Sequence, residues 1–354
     1  MKKKVLMFLQ SGVGGAERVT VTIGKNLDRE KFEVSFCLVG DAKGVLNIEN
    51  FIPKEYALLR IPKCRGLRLI LALKKIVSRE KPDAVFSSIT FVNTKLLALA
   101  LFYPKIKFVV RNNNYIYTLS AMQKLILRVF YRFADAVIAQ TDEMSLELTD
   151  KIKLPKKKVF ALQNPIDEMT IDEKKNASSP FVGNGDIVYV ASGRCQPVKG
   201  FDVLVKAFRL VLDQQPNARL HILGKITENC EACYADVMNL AKELGVSNRV
   251  VFEGFQLNPY VFVKNADCFV LSSRNEGLPN VLIESLYLET PVAATKCIPV
   301  ISRIVEDGVN GFLAEPENAE SLASAMLKAS KLGRVCNNYH SASISEFQRI
   351  IDDD

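Results

Sequence analysis

Two carboxylates and two cations carry the chemistry that this sequence offers. Glu276 and Glu284 stand with seven residues between them in R-N-E-G-L-P-N-V-L-I-E-S-L, and Arg194 and Lys199 stand with four between them in S-G-R-C-Q-P-V-K-G-F. An arginine and a lysine on one turn can each donate charge-assisted hydrogen bonds to a diphosphate, about 1.5–3 kcal/mol apiece. They can also stabilise the negative charge that grows on a diphosphate as its substituent departs, where one fixed donor contributes about 2.7–4 kcal/mol. A carboxylate, with two acceptor oxygens, matches the vicinal hydroxyls of a ribose or a sugar. Taken singly, each pair has a plainer meaning: any glutamate-rich helix supplies two such carboxylates, and a cation pair after a strand is ordinary surface. Their setting decides between these meanings.

Glu276 lies in a polar loop, Ser272 to Gly277, between an apolar strand expected over Cys268 to Leu271 and a helix expected to open at Leu278 or Pro279. A proline in the first helical turn removes no needed hydrogen bond. The helix then carries Glu284, and a further apolar run, Pro291 to Ala294, begins after about three helical turns. Such a helix start presents backbone N–H groups and the positive end of the dipole to an anion. Gly277 and Leu278 offer such N–H groups and Pro279, which has none, sets the helix start, so the three are candidate positions for binding a phosphate-bearing ligand. The cation loop has the same setting, after a strand over Ile187 to Ala191 and before a helix.

The whole chain repeats this alternation. Strands are expected over Val5–Leu9, Phe32–Val39, Pro82–Phe86, Lys107–Val110, Ala136–Ala139 and Val159–Leu162, with helices over Val19–Leu27 and Leu67–Lys81 among them. A polar stretch, Glu168 to Pro180, reads as a linker. The pattern then restarts through Ile187–Ala191, Leu220–Leu223, Val250–Phe252, Cys268–Leu271 and Pro291–Ala294. Strand–helix alternation implies parallel sheets covered on both faces, with ligands at the strands' carboxyl ends. Residues 1–166 form the expected first domain and 167–335 the second, with 336–354 a segment that packs back on the first.

Two constellations mark the first domain. Gly12-Val13-Gly14-Gly15-Ala16-Glu17-Arg18 follows the first strand, and its glycines let backbone approach a ligand closely before a helix begins. Arg111-Asn112-Asn113-Asn114 follows a later strand, where asparagine amides can bond sugar hydroxyls but cannot act as a base at neutral pH.

The motifs resemble those of the retaining glycosyltransferase family 4. The paired glutamates within E-G-L-P-N-V-L-I-E-S-L, the T-P-V strand, D-G-V-N-G-F-L, G-R-x-x-x-x-K-G and G-G-A-E-R all carry the resemblance, which covers nearly the whole chain and is strongest over 187–315. It implies an α/β fold of GT-B architecture, two Rossmann-like doubly wound domains facing across a cleft. The first would bind the acceptor and the second the nucleotide-sugar donor. It implies transfer of a hexose or N-acetylhexosamine from a nucleotide-diphosphate sugar, UDP-sugar favoured, to a glycan. A lipid-linked acceptor of lipopolysaccharide or capsule type is expected. Arg194, Lys199 and Glu276 would be catalytic. Glu284 would grip the donor ribose, Gly14 and Gly15 would neighbour the donor phosphates or the acceptor, and Asn112 and Asn113 would line the sugar site. Relatives place a histidine near Asn113 and a glycine in the L-G-K-I-T-E-N stretch (223–229), where this chain has Ile226 and Thr227. No metal, and no cofactor besides the donor substrate, is expected, because fixed cations substitute for an ion. A nucleotide-sugar epimerase and a glycoside hydrolase remain as rival readings. The hydrolase also needs two carboxylates, about 5–9.5 Å apart, but has no use for diphosphate-binding cations.

Bulk properties narrow the setting. A chain of 354 residues that is 48% hydrophobic and 24% charged suits two globular domains. No run approaches a membrane span, and M-K-K-K-V-L-M-F-L reads as a first strand instead of a signal. A cytoplasmic protein is expected, peripheral on the inner face of the membrane. Cys230 and Cys233 form the chain's C-x-x-C and read as helix-surface thiols, too few for structural zinc with His221 in a strand. Residues 1–168 carry 29 Lys and Arg against 16 Asp and Glu, whereas residues 169–354 carry 18 against 23. That basic first half calls for a polyanionic partner. Within Met122 to Phe133, Lys124, Arg128 and Arg132 recur every four residues, set against Leu125, Val129 and Phe133, a pattern suited to an anionic membrane surface. No aromatic-interleaved basic motif points to nucleic acid.

Overall fold

The structure is a computed structural model. It describes all residues except 42–46, 182–184, 227–229, 337–338, 340–341 and 353–354. The chain divides into two compact units, residues 1–166 with 341–354, and residues 167–340.

The first unit runs β1 (Lys3–Gln10), α1 (Gly15–Asn26), β2 (Phe32–Val39), β3 (Ala57–Ile61), α2 (Gly66–Glu80), β4 (Ala84–Ser87), α3 (Thr90–Ala100), β5 (Lys107–Asn112), α4 (Ala121–Phe130), β6 (Ala136–Ala139), α5 (Asp142–Asp150) and β7 (Val159–Ala161). Its seven strands are all parallel, in the order β3-β2-β1-β4-β5-β6-β7. The second unit runs α6 (Glu168–Lys174), β8 (Val188–Ser192), α7 (Phe201–Leu212), β9 (Arg219–Leu223), α8 (Glu231–Glu243), β10 (Val250–Gly254), α9 (Tyr260–Lys264), β11 (Cys268–Leu271), α10 (Asn280–Tyr287), β12 (Val292–Thr295), α11 (Ile301–Ile304), β13 (Gly311–Ala314) and α12 (Ala319–Ala329). Its strands, again all parallel, lie in the order β10-β9-β8-β11-β12-β13. The last helix, α13 (Ile344–Asp352), belongs to the first unit. Phe347, Ile350 and Ile351 complete the core around β1, β2 and α1, and Lys3 pairs with Asp352 at 3.0 Å.

In each sheet the strand order reverses at one place, between β1 and β4 and between β8 and β11. In open parallel sheets such a reversal, at the strands' carboxyl ends, is where ligands bind. The strands are apolar runs because both faces are covered. Their register is supported by one repeated device, an aspartate just before a strand that accepts from the first or second N–H of a neighbouring strand. Asp83 accepts from Lys4, Asp135 from Phe108 and Asp267 from Val188, each at 2.7 Å.

Several local expectations are corrected. The segment after 167 is not wholly a linker: Asp167 accepts from Thr170 N at 3.3 Å and starts α6, which buries Ile171. The G-G-A-E-R stretch is the first turn of α1, not a turn before it. Strand β5 runs two residues further than its apolar run and includes Arg111 and Asn112. Helix α10 opens at Asn280, with Pro279 as its N-cap. Helix α4 ends at Phe130, and Tyr131–Phe133 tighten into a 3-10 turn. Cys230 is a core residue, not a surface thiol, and Cys233 packs on that core with its sulfur 3.7 Å from that of Cys195. Strand β3 and helix α3 have no counterpart in the sequence reading.

Candidate functional site

The loops at the β8/β11 reversal carry the residues singled out from sequence. After β8, Gly193 N donates to Leu223 O at 2.8 Å, and Pro197–Lys199 form a 3-10 turn that ends at Gly200. Gly200 has φ +63° and begins α7. A β-carbon there would sit 2.1 Å from the carbonyl oxygen of Ser272, so glycine allows the two loops to touch. Ser272 Oγ reinforces the contact by donating to Lys199 O at 2.8 Å. Beside them, a β-carbon on Gly224 would meet the Gly193 carbonyl at 1.8 Å. Of the 223–229 stretch, Leu223 to Ile226 are described, while Thr227 and its two successors lie outside the described residues.

Lys199 and Glu276 meet where the two loops touch, Nζ to Oε1 at 2.6 Å, with side chains 21% and 12% exposed. Ser273 Oγ donates to the same carboxylate oxygen at 2.5 Å. Thr295 Oγ1 in turn holds Ser273 by donating to its carbonyl at 2.6 Å. The lysine stem lies over Gly193, where an added β-carbon would be 3.2 Å from its Cδ and Cε. Arg194 projects from the same loop, exposed and without an ion pair among the described residues. Burial, reinforced by the charge of Glu276, pushes the neighbouring Cys297 thiol up to about 12. That thiol therefore stays neutral beside the carboxylate at physiological pH.

Gly277 and Leu278 lead from Glu276 to the start of α10. Its N-cap, Pro279, has no side-chain acceptor, and the first turn holds no acidic residue. The first turn therefore presents no carboxylate to oppose an incoming anion. Leu282, Ile283 and Leu286 bury one side of α10, and Glu284 sits half-buried on the other. Glu276 and Glu284 thus come from a loop and a helix at one strand edge, as their spacing suggests.

In the first unit the other candidates follow β1 (Gly14 and Gly15) and lie at the end of β5 (Asn112 and Asn113). Gly14 caps α1 in ordinary extended backbone (φ −150°), and the space a β-carbon would fill is occupied by Glu17 Oε2, 2.4 Å away. Gly15 is exposed with open space beside it. Arg111 is fully buried; one N–H group donates to Asn164 Oδ1, while Nε and Nη1 are without partners. Burial pulls its guanidinium down to about 9, and the charge of Glu17 works against that shift. Asn112 turns inward, 1% exposed, donating to Asn114 O at 2.7 Å. Asn113 donates to Ser88 O at 2.5 Å and accepts from Gln140 at 2.8 Å. The Asn113 amide thus ties together the segments that follow β4, β5 and β6 while keeping partial exposure, whereas Asn112 bonds within its own segment.

The sequence reading missed Arg274, which binds the cation loop to the glutamate loop, together with its partners Asp202 and Glu317. Its visible signal was an arginine inside an otherwise short polar loop. Among the described residues, no group of three or more His, Cys, Asp or Glu side chains is arranged to hold a metal ion.

A parallel Rossmann-like pair with cations and carboxylates at its strand-order reversal is the design of a GT-B glycosyltransferase. Residues 172–345 match the glycosyl transferases group 1 family and residues 13–169 match glycosyltransferase family 4. The chain belongs to these GT-B family 4 glycosyltransferases and is a transferase enzyme. It is 30% identical over 247 residues to an uncharacterized glycosyltransferase of Methanocaldococcus jannaschii, covering 65% of this chain and 60% of that protein. It is 26% identical over 371 residues to the N-acetylgalactosamine-N,N'-diacetylbacillosaminyl-diphospho-undecaprenol 4-alpha-N-acetylgalactosaminyltransferase of Campylobacter jejuni, covering 99% of this chain and 97% of that one. Among solved structures, Anabaena HepE in complex with UDP and glucose superposes with a TM-score of 0.79 at 20% identity, over 93% of this chain and 90% of that one.

Proposed function

We propose that the enzyme is a retaining, metal-independent glycosyltransferase that moves a hexose or N-acetylhexosamine from a UDP-sugar to a lipid-linked glycan. The observation that carries this reading is the Lys199–Glu276 pair at the β8/β11 reversal, with Arg194 on the same loop. The second unit binds the donor. Lys199 and Arg194 hold the diphosphate, Gly277 and Leu278 present backbone N–H groups to the sugar, and Glu284 accepts from the ribose hydroxyls. Glu276 accepts from the sugar's far hydroxyls. The bond from the anomeric carbon to the diphosphate oxygen breaks while the acceptor hydroxyl adds to the same face of the sugar. The leaving diphosphate takes the acceptor's proton, and Lys199 and Arg194 stabilise the charge on it. No metal enters these steps. The UDP complex of HepE and the diphospho-undecaprenol named for the Campylobacter relative support the donor and acceptor classes.

Donor binding has a direct test. Binding to the native state alone raises apparent stability as RT ln(1 + [L]/Kd). UDP is expected to raise the melting temperature more than GDP or ADP, and Glu284→Ala to abolish that shift while the variant remains folded. An unchanged shift in Glu284→Ala would remove the ribose assignment.

The first unit binds the acceptor at the anionic inner face of the membrane, through α4. Of this helix's ten residues only Leu127 is buried. Met122, Leu125, Ile126 and Val129 share one exposed side, 65%, 56%, 37% and 40% accessible, with Arg128 and Arg132 exposed beside them. An apolar side left in water with cations at its border fits a bilayer surface, where each cation adds about 1 kcal/mol. No helix among the described residues is long and apolar enough to cross a membrane. Leu125→Glu with Val129→Glu should reduce sedimentation with phosphatidylglycerol vesicles about tenfold or more, each charge opposing burial in lipid. Equal sedimentation of variant and wild type would dismiss α4 as the contact.

A further inference from the structure

We infer that Arg274 is a positioning residue for Lys199, acting through the 3-10 turn that carries the lysine; the inference rests on Lys199 serving transfer as proposed above. A guanidinium has five N–H donors in a rigid planar fork, and here all five are used. Nη1 and Nη2 meet the two Asp202 oxygens at 2.8 Å each, Nη2 also meets Glu317 Oε2 at 3.0 Å, Nε donates to Glu317 Oε1, and Nη1 donates to Pro197 O. Its backbone N donates to Val198 O at 2.8 Å. Arg274 therefore grips the carbonyls of the two residues just before Lys199, while standing two residues before Glu276 in its own loop. Asp202, in the first turn of α7, anchors the fork from behind. Glu317 holds it from the other side with its backbone in the left-handed region, φ +59°. Hydrogen bonds to the Asp202 and Glu317 carboxylates, with their charge, hold the guanidinium firmly ionised.

Without the fork the turn keeps the Ser272 bond to Lys199 O and the bond from the backbone N of residue 274 to Val198 O, but loses the hold on Pro197 O and the brace to Asp202 and Glu317, and the ammonium loses its fixed place beside Glu276. A lysine at 274 preserves charge but cannot span two carboxylates and a carbonyl. The consequence is specific: Arg274 should matter to turnover only while Lys199 is present.

The test is a double-mutant cycle on the full chain, with UDP release in the presence of a lipid-linked acceptor as readout. Arg274→Gln and Arg274→Lys are expected to lower kcat about tenfold or more with donor KM within about twofold, as for loss of a group acting in the transition state. Lys199→Met lowers kcat further, and adding Arg274→Gln to it should change kcat by less than about twofold, because residues acting through one group do not add. A full further tenfold loss in the double variant would overturn the inference, as would wild-type kcat in Arg274→Lys. A merely structural role predicts the additive result. A crystal structure of Arg274→Gln decides independently of activity: the Lys199–Glu276 contact should open beyond hydrogen-bond distance, and its persistence at 2.6 Å would sink the idea. If the wild type transfers nothing, the functional reading fails, and the crystal alone still judges the positioning.

Discussion

Lys199→Met should lower kcat about 10²–10³-fold while the donor's affinity falls far less, the signature of one lost donor to developing charge. The ammonium is held by Glu276 at 2.6 Å and its stem rests on Gly193. Its place is therefore set by contacts within the protein, which limits the reorganisation needed as the sugar departs. The variant carries a second penalty. Glu276 keeps only 12% exposure, and without its cation it is a largely buried carboxylate held, among the described residues, by Ser273. Losing one member of such a pair costs more than the pair itself contributes. Steady-state kinetics with a saturating acceptor separates the two effects, because a stability loss appears in the melting temperature and not in kcat of the folded fraction. Wild-type kcat in Lys199→Met would contradict the leaving-group role.

Gly200→Ala should destabilise the second unit by about 3–5 kcal/mol, in the range reserved for clashes and strained backbone. Two separate causes add at this position. The backbone is left-handed at φ +63°, and the new methyl would meet Ser272 O at 2.1 Å. Gly245 supplies the control, since it has φ +70° with nothing within 4 Å of an added β-carbon. Gly245→Ala should cost only the backbone component, about 1–2 kcal/mol. Urea unfolding of both variants measures the difference, and the excess at Gly200 reports how tightly the β8 and β11 loops touch. Equal losses would mean that the loops separate freely and that Lys199 is not held against Glu276 by this contact.

The parts that were legible in the sequence are those in which local chemistry and tertiary placement agree. Strands β2, β6 and β11 have the bounds their apolar runs suggest, because each run is bracketed by charges or turn residues. The glutamate and cation loops were readable because glycine, proline and charge fall together over a dozen residues. Where a tertiary partner decides, the sequence is silent. Arg111 reads as the start of a polar loop after a strand, yet it belongs to β5 and is buried against Asn164, 53 residues away. The fork of Arg274 depends on Asp202 and Glu317, 72 and 43 residues distant. The K-K-N-A-S-S-P composition suggests a linker, but Asp167 caps a helix just before it and Ile171 finds a core. The amphipathic pattern of α4 shows an apolar side without revealing that its own unit leaves that side uncovered.

The central claim is that the β8/β11 reversal is a diphosphate seat, and isothermal calorimetry with matched nucleotides tests it most directly. UDP should bind the wild type about tenfold or more tighter than UMP, since the second phosphate gains charge-assisted bonds to Arg194 and Lys199. That preference should vanish in Arg194→Ala with Lys199→Met. If UDP, GDP and ADP each bind no tighter than their monophosphates, or if the preference survives loss of both cations, the diphosphate lies elsewhere and the account is wrong.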